Sequence, residues 1–315
     1  MTTTPATGAP LPTFLLLGAM KAGTTSLFKY LAQHPDICFS RDKEPHYLAA
    51  GDTILPPDST PVPYASICRD LASYRANFAH WRGQRAIGEA STSSLDSPEA
   101  PARAAALLPG ARLLVILRQP ADRAISHVHH NYRVGREPDL NLRRALKEAP
   151  ARPPTIPRFV YGYRQRSCYL PSLQNWLAHY PRPRLAVLFN DDLDRDPVGT
   201  VRAACRHIGV DDSFTPDTSL RFNTSGVARN RVVDFAFHHA RDLRRFLETH
   251  LPPHLVCALA RKLRHPPKLD PQLRAELTAS YREDILALGA FVDRDLSPWL
   301  DGRKLPPPPD GLLAR

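Results

Sequence analysis

Residue types that suit phosphate binding lie between an apolar run and a helical pattern near the start of the chain. The string GAMKAGTTS, residues 18–26, follows the apolar segment 14–17. Glycine permits a tight backbone path, and amide groups at the start of a helix attract an anion with the help of the helix dipole. Lys21 adds a positive charge, so the string predicts a loop that holds a phosphate group. Its hydroxyl donors are Thr24, Thr25 and Ser26.

The same string differs from the phosphate loop of ATP- and GTP-binding proteins at one position. That loop reads GxxxxGK[ST], and Gly18 and Gly23 have the required separation. Thr24 stands where the lysine is expected, and Lys21 comes before Gly23 instead of after it. A P-loop-type kinase or NTPase therefore stays an alternative, and the missing lysine position argues against it.

A second candidate anion site follows another apolar run. The segment 113–117 reads LLVIL, and Arg118 comes directly after it at the start of a helical pattern. The planar guanidinium group can bond two phosphate oxygens at once. Two structural roles compete with this one, because Arg118 could instead cap the edge of the sheet or pair with Asp122.

Apolar runs alternate with helical patterns along the chain. Three runs of strand length occupy residues 14–17, 113–117 and 185–189. Further helices are predicted at 169–179, 231–251 and 271–288, where apolar residues recur at helical spacing. This alternation predicts an α/β fold, a single P-loop-like domain with a central parallel β-sheet flanked by helices on both faces. A ligand is expected at the carboxyl ends of the strands.

The predicted boundaries follow from local composition. Residues 1–12 form a small, polar lead, the domain covers residues 13–302, and a Pro-rich tail covers residues 303–315. No apolar segment reaches the roughly 20 residues that a membrane helix needs. These features predict a protein without a transmembrane segment and with a cytoplasmic location.

Charge and cysteine usage narrow the class of partner. The net charge of +11 suits an anionic ligand, a nucleic acid or a membrane surface, but no run of five like charges occurs. A non-catalytic basic protein that binds nucleic acid is the second alternative, although no nucleic-acid partner is expected. The five cysteines are scattered singly, which argues against a disulfide scaffold and a structural zinc site.

Three short segments together resemble one enzyme family. The string KAGTTSL, residues 21–27, resembles the loop that holds the 5′-phosphosulfate in sulfotransferases that use PAPS (3′-phosphoadenylyl sulfate). The segment 117–126 resembles the 3′-phosphate segment of that family. The pair His34-Pro35 and the string KEPHYL, residues 43–48, are similar to the branch that contains the heparan sulfate sulfotransferases and their bacterial relatives.

The resemblance implies both a reaction and a donor site. The reaction is transfer of a sulfuryl group from PAPS to a hydroxyl or amine of a carbohydrate or small-molecule acceptor, with release of PAP (adenosine 3′,5′-bisphosphate) and no required metal. Arg118 and Ser126 are implied to bind the 3′-phosphate, with Arg229 as a further candidate. Whether the protein forms a homodimer is left open. The implied phosphosulfate loop consists of Lys21, Ala22, Gly23, Thr24, Thr25 and Ser26.

The resemblance also implies the catalytic groups. Glu44 is the candidate general base for the acceptor, and Lys21 is the candidate stabiliser of the departing phosphate oxygen. His46 competes with Glu44 for the role of base, because the ordinary pKa of histidine lies close to neutral. A carboxylate can serve as the base only if its geometry and its pKa allow it.

Other parts of the match depart from the family or carry less information. The family segment near the acceptor commonly reads Glu-x-Ser-Pro-x-Tyr, but here Glu89-Ala90-Ser91 is followed by Thr92-Ser93-Ser94. A buried hydrogen-bonding role for Glu89 and Ser91 is therefore weighed equally with a role in substrate binding. Tyr169 is expected near the nucleotide or the acceptor, whereas Trp176 is expected in the core.

Overall fold

Five short apolar runs form one buried parallel sheet. The computed structural model describes residues 9–50, 68, 70–152, 158–219, 227–228, 264–265 and 270–308. The strands of the sheet are β1 (Phe14–Gly18), β2 (Ile37–Phe39), β3 (Ala86–Glu89), β4 (Arg112–Leu117) and β5 (Leu185–Phe189). Almost every residue in them is buried, as expected for parallel strands that are covered on both faces. A separate antiparallel pair consists of β6 (Val227–Ala228) and β7 (Arg264–His265).

Helices connect and cover these strands. Those of the described residues are α1 (Thr24–Leu31), α2 (Tyr47–Ala50), α3 (Leu71–Ala76), α4 (Ala100–Leu107), α5 (Pro120–Arg133), α6 (Leu142–Glu148), α7 (Arg158–Tyr161), α8 (Leu170–Leu177), α9 (Asn190–Arg195), α10 (Pro197–Ile208), α11 (Pro271–Ser280) and α12 (Arg282–Val292). Short 3₁₀ helices occupy Ala149–Ala151, Gln165–Ser167, Arg182–Arg184 and Ser297–Trp299.

Local sequence explains where several of these helices begin. Proline occupies the first turn of α5, α10 and α11, where its missing N–H costs no hydrogen bond. The preceding side chain accepts a bond from a first-turn amide in each case. Gln119 caps α5, Asp196 caps α10 and Asp270 caps α11.

The strand order creates a cleft between two neighbouring strands. The order is β2-β3-β1-β4-β5, and every pair is parallel. The connection from β1 through α1 runs toward β2, whereas the connection from β4 through α5 runs toward β5. Since both crossovers are expected to be right-handed, α1 and α5 lie on opposite faces of the sheet. The connections therefore diverge at the carboxyl ends of β1 and β4, which is where open α/β sheets bind ligands.

The predicted fold class is confirmed, and the three predicted strands are present. The sequence analysis missed β2 and β3, because runs of three and four residues are too short to show a periodic pattern. The helix predicted at 271–288 is two helices, since Tyr281 leaves helical backbone geometry between α11 and α12. The helix predicted at 231–251 lies outside the described residues.

Two buried tryptophans attach loops to the core. Trp176 on α8 is fully buried, as predicted, and its Nε1 donates to the carbonyl oxygens of Ser94 and Leu95, each at 3.3 Å. Trp299 donates from Nε1 to Asp191 Oδ2 at 2.7 Å, at the start of α9. A buried indole N–H normally finds such a partner. Both loops therefore leave the strand ends along fixed paths.

Gly88 in β3 has no room for a side chain. An added Cβ would lie 2.6 Å from Phe39 Cε1 and closer still to Phe14 Cζ, whose two rings pack edge to face. We predict that Gly88→Ala lowers the free energy of unfolding by about 1–3 kcal/mol through overpacking. Urea unfolding measures the change. Gly110→Ala is the matched control, since a Cβ there meets nothing within 4 Å. Equal stability of the two variants would contradict the packing.

Candidate functional site

A cleft of about 670 Å³ is lined by the segments that follow β1 and β4. It contains residues from all three segments that the sequence analysis selected. From the predicted loop, Lys21, Gly23, Thr24, Thr25 and Ser26 line it, whereas Ala22 lies fully buried beneath the loop. The remaining predicted residues that line the cleft are Glu44, His46, Arg118 and Ser126. Arg229 lies outside the described residues.

The predicted phosphate loop ends at an open helix N-terminus. Gly23 is the N-cap of α1 and has a φ of 104°, in the left-handed region that favours glycine. A Cβ on Gly23 would also come within 3.0 Å of Asn190 Nδ2. No side chain caps α1, and its first turn contains no acidic residue. The first-turn amides and the helix dipole can therefore act on an anion in the cleft.

Lys21 lies in the loop beside two arginines. Its backbone φ is 70°. Burial, together with the nearby charges of Arg133 and Arg118, lowers the pKa of Lys21 to about 7, although the charge of Glu44 acts in the opposite direction. Below this pKa the side chain is a cation, and above it the side chain is mainly neutral. A bound anion would raise this pKa, because it favours the charged form.

Arg118 connects the two predicted phosphate segments. Its Nη1 donates to the backbone oxygen of Lys21 at 3.3 Å. Its own backbone oxygen accepts a bond from the Tyr169 hydroxyl at 2.8 Å, so the buried Tyr169 supports the backbone at Arg118. The alternative pairing of Arg118 with Asp122 is wrong. Asp122 instead forms a bidentate ion pair with Arg274 on α11, in which Nε and Nη2 of the arginine donate to the two carboxylate oxygens at 2.6 and 2.9 Å.

Helix α5 brings further basic residues to the cleft. Ser126, His130 and Arg133 line it at helical positions i, i+4 and i+7, and Arg136 lines it just beyond the end of the helix. The last three residues are not among those predicted from the sequence. For His130 and Arg133, the spacing from Ser126 is the signal that could have identified them, because residues at these intervals share one face of a helix.

Glu44 is an ionised carboxylate with a partner at each oxygen. Its Oε1 forms an ion pair with Lys43 Nζ at 2.6 Å, and its Oε2 accepts a hydrogen bond from Thr92 Oγ1 at 2.9 Å. Burial alone would raise the pKa of Glu44. The charges of Lys43 and His46, with the hydrogen bonds from Lys43 and Thr92, outweigh burial and lower this pKa to about 2.

His46 lies next to Glu44 as a neutral imidazole. Burial lowers the pKa of His46, although the charge of Glu44 acts in the opposite direction. Its Nδ1 lies 2.7 Å from Ser93 Oγ, and its Nε2 lies 3.8 Å from Glu44 Oε2. At neutral pH the pair therefore offers a carboxylate that accepts protons and an imidazole that can donate or accept one.

Arg166 joins three parts of the cleft that are distant in sequence. Its Nε pairs with Asp96 Oδ1 at 2.9 Å, its Nη2 donates to the Thr92 carbonyl at 2.5 Å, and its Nη1 lies 3.1 Å from Met20 Sδ. The sequence analysis did not select Arg166. Its partners lie 70 or more positions away in the chain, and no local pattern indicates such contacts.

Glu89 lies outside the cleft at the end of β3. The residue is 1 % exposed, as the buried alternative predicts. Burial raises the pKa of Glu89 to about 7, a value to which the charge of Glu44 also contributes. The pKa values of Glu44 and Glu89 thus differ widely, because Glu44 has cationic neighbours and Glu89 lies in the core.

Comparison with known proteins gives consistent matches. The family described as "Sulfotransferase domain" matches residues 11–241. The human protein named bifunctional heparan sulfate N-deacetylase/N-sulfotransferase 2 is 27% identical over 230 residues, which are 68% of this chain and 24% of that protein. The Drosophila melanogaster protein named bifunctional heparan sulfate N-deacetylase/N-sulfotransferase is 26% identical over 232 residues, 68% of this chain and 21% of that protein. The chain thus spans about a quarter of the length of these curated relatives.

A solved bacterial structure is similar over nearly the whole chain. The sulfotransferase from Alicyclobacillus acidocaldarius superposes with a TM-score of 0.72 at 30% sequence identity. The match covers 92% of this chain and 99% of that one. In the part of this chain that the structure describes, no helix combines the length and the apolar character needed to cross a membrane.

The raised pKa of Glu89 predicts a stability that falls as pH rises. The folded pKa of about 7 exceeds the ordinary value of 4.5, so the contribution is complete below pH 4.5 and is lost as pH rises through 7. Relative to Glu89→Gln, the wild type should lose up to about 3 kcal/mol of unfolding free energy between pH 5 and pH 8. Urea unfolding at both pH values measures this difference.

The matched control for this experiment is Glu283→Gln, which changes an exposed carboxyl on α12. It should show the same pH dependence as the wild type. If Glu89→Gln also follows the wild type, Glu89 is ionised in the core at neutral pH and the assignment fails.

Proposed function

Because the chain belongs to the sulfotransferase family, we propose that it transfers a sulfuryl group from PAPS to a hydroxyl or amine of a carbohydrate or small-molecule acceptor and releases PAP. One observation carries this proposal. A single cleft contains the uncapped N-terminus of α1 with Lys21, the pair Arg118 and Ser126, and the carboxylate of Glu44. PAPS has anionic groups at both ends, so it requires two anion sites. The acceptor requires a general base that lies between these two sites and the solvent.

The donor is proposed to lie across the ends of β1 and β4. The first-turn amides of α1, its hydroxyls and Lys21 would hold the 5′-phosphosulfate, because the residues that carry them line the same cleft and a helix N-terminus attracts an anion. Arg118 and Ser126 would hold the 3′-phosphate. The proposed contribution of Arg229 to the 3′-phosphate site comes from a segment outside the described residues.

The transfer step makes one bond and breaks one. The acceptor oxygen or nitrogen forms a bond to sulfur while the bond between sulfur and the 5′-phosphate oxygen breaks, and that oxygen keeps the electron pair. Glu44 receives the acceptor proton. Lys21, protonated beside the bound phosphates, stabilises the charge that develops on the departing oxygen. A carboxylate of low pKa is a weak base, but the acceptor becomes more acidic as its bond to sulfur forms.

His46 is the second candidate base. Its low pKa keeps it neutral and able to accept a proton. However, its Nδ1 is already engaged with Ser93 and its Nε2 faces Glu44. This arrangement favours a supporting role for His46, with Glu44 as the group that meets the acceptor.

The acceptor class is proposed from charge. Arg133, Arg136 and Arg166 line the cleft in addition to Lys21 and Arg118, whereas Glu44 and Asp194 are its acidic residues among those described. This excess of positive charge favours an acceptor with anionic groups, such as an acidic carbohydrate. The names of the curated relatives, which refer to heparan sulfate, support the same class. The cytoplasmic location, the absence of a metal requirement and a homodimer stay predictions.

A calorimetric titration with PAP tests the donor site. We predict that Lys21→Met and Arg118→Met each weaken PAP binding about tenfold to hundredfold, the effect of one lost charge-assisted hydrogen bond. EDTA should leave PAP binding unchanged, and ATP with magnesium should bind more weakly than PAP. A preference for ATP with magnesium would instead support the kinase alternative.

The titration also tests the pKa of Lys21. At pH 8 free Lys21 is mainly neutral, so PAP binding should take up about one proton, whereas at pH 6 it should take up almost none. Titration in buffers of different ionisation enthalpy measures this uptake. Lys21→Arg should abolish the uptake at pH 8, because guanidinium stays charged. Uptake that persists in that variant would assign the proton to another group.

The role of Glu44 predicts a loss of turnover without a loss of donor binding. Glu44→Gln should lower sulfuryl transfer at least about 100-fold, the usual contribution of a general base. The assay follows transfer from radiolabelled PAPS to N-desulfated heparan sulfate, unsulfated heparosan and simple phenols. PAP affinity should be unchanged, and His46→Gln should lose less activity. A larger loss in His46→Gln would transfer the base assignment to His46.

A further inference from the structure

Three consecutive hydroxyl residues contact the segment that contains Glu44 and His46. The Ser91 hydroxyl accepts a bond from the His46 backbone N–H at 2.9 Å. The Thr92 hydroxyl donates to Glu44 Oε2 at 2.9 Å. The Ser93 hydroxyl lies 2.7 Å from His46 Nδ1. All three hydroxyl residues are buried, and we call them the hydroxyl run.

The segment that they contact has backbone conformations that its residue types rarely adopt by themselves. Glu44 has a φ of 70° and His46 has a φ of 58°, both in the left-handed region that non-glycine residues rarely adopt. Such conformations persist only where surrounding contacts impose them. The bonds from the hydroxyl run are contacts of this kind, and they reach across 45 to 48 positions of the chain.

The hydroxyl run is itself fixed in place. Arg166 donates to the Thr92 carbonyl at 2.5 Å and pairs with Asp96. Trp176 donates to the Ser94 carbonyl at 3.3 Å, and the Ser94 amide donates to the Ser91 carbonyl at 3.1 Å. Bonds at both ends keep these hydroxyls from moving independently of the core.

We propose that Thr92 and Ser93 are positioning residues for proton transfer, which anchor Glu44 Oε2 and the His46 ring so that Glu44 Oε1 is the oxygen that receives the acceptor proton. The inference rests on the proposed function and deepens it. The Oε2 atom of Glu44 accepts the hydrogen bond from Thr92 and faces the imidazole of His46. Oε1 meets the ammonium of Lys43, whose side chain is 21% exposed and can move aside when an acceptor binds.

The tautomer of His46 follows from the same geometry. Its Nε2 faces an ionised carboxylate at 3.8 Å, so a hydrogen on Nε2 is favoured over a lone pair. Nδ1 is then an acceptor, and the Ser93 hydroxyl donates to it. Ser93, His46 and Glu44 form a chain of three groups. The Ser93 hydroxyl fixes the orientation of the His46 ring, and the ring faces the Glu44 carboxylate.

Nitrogen NMR of the full chain tests the role of Ser93 without an acceptor. Long-range ¹H–¹⁵N spectra distinguish the two histidine tautomers, and loss of signals in His46→Gln assigns the resonances. The wild type should show the Nε2–H tautomer, and Ser93→Ala should shift the Nδ1 resonance, because Nδ1 loses its hydrogen-bond donor. Ser93→Thr should keep the wild-type Nδ1 resonance, because the hydroxyl remains. An Nδ1–H tautomer in the wild type, or an unchanged Nδ1 resonance in Ser93→Ala, would overturn the assignment.

Ser94→Ala is the matched control for the hydroxyl run. The Ser94 hydroxyl is buried one position further along the chain, and it has no hydrogen-bond partner among the described residues. Its removal should leave the His46 signals and the transfer rate as in the wild type. A shift of the His46 signals in this variant would attribute the Ser93→Ala result to general loosening of the loop.

Kinetics of Thr92 variants test the anchoring of Glu44. Thr92→Val keeps the shape and removes the hydroxyl, and it should lower kcat about tenfold to hundredfold with the KM for PAPS unchanged. Thr92→Ser should restore most of kcat. Equal rates in Thr92→Val and the wild type, or equal losses in both variants, would overturn the proposal.

The two proposals fail in different ways. If wild-type protein neither binds PAP nor transfers the labelled sulfuryl group, the proposed function fails, and the His46 spectra still decide whether Ser93 sets the ring. If transfer occurs and Thr92→Val retains the full rate, the donor site stands and only the positioning role is lost.

Discussion

The pairing of β1 with β4 is the constraint on which the site depends. The strands run parallel, with Leu15 opposite Leu113 and Leu16 opposite Leu114, and the register shifts by one residue before Gly18, which lies opposite Val115. The crossovers that follow them leave in opposite directions, toward β2 and toward β5. The loop before α1 and the Arg118 side of α5 therefore meet across one cleft. Two segments that are 97 positions apart in the chain become neighbours, as the bond from Arg118 to the Lys21 carbonyl shows.

Burial and charge then give chemically different roles to similar groups. Two carboxyl groups have pKa values of about 2 and about 7, because cations and a hydroxyl surround Glu44 while Glu89 lies in the core. Burial and two arginines lower the pKa of Lys21 to about 7, so its charge depends on what the cleft holds. Groups whose environments separate their pKa values in this way are typical of sites that transfer protons and charged groups.

Long-range hydrogen bonds supply the fine geometry. The backbone at Glu44 and His46 adopts left-handed conformations, which residues 91–93 stabilise from another part of the chain. Arg166 extends this support to Asp96 and to Met20 in the loop after β1. Glu44, His46 and the loop after β1 are thus connected through Thr92, Ser93 and Arg166. A site assembled in this way can tolerate strained local backbone, because its neighbours hold it in place.

The amino-acid sequence alone determined the fold class, because buried apolar runs that alternate with helical patterns are local features. The sequence also predicted a phosphate loop, and its resemblance to one family implied the pairing of Arg118 with Ser126; the structure places these residues in one cleft, and their roles stay predictions. The sequence did not reveal β2 and β3, which are too short to be periodic. It also did not reveal Arg166 or the hydroxyl run, and it left open a pairing of Arg118 with Asp122. The contacts of Arg166, the hydroxyl run and Asp122 were decided only by the tertiary structure, because they join residues 45 or more positions apart in the chain. Local sequence patterns indicate which elements form, but such contacts arise only when the folded elements pack together.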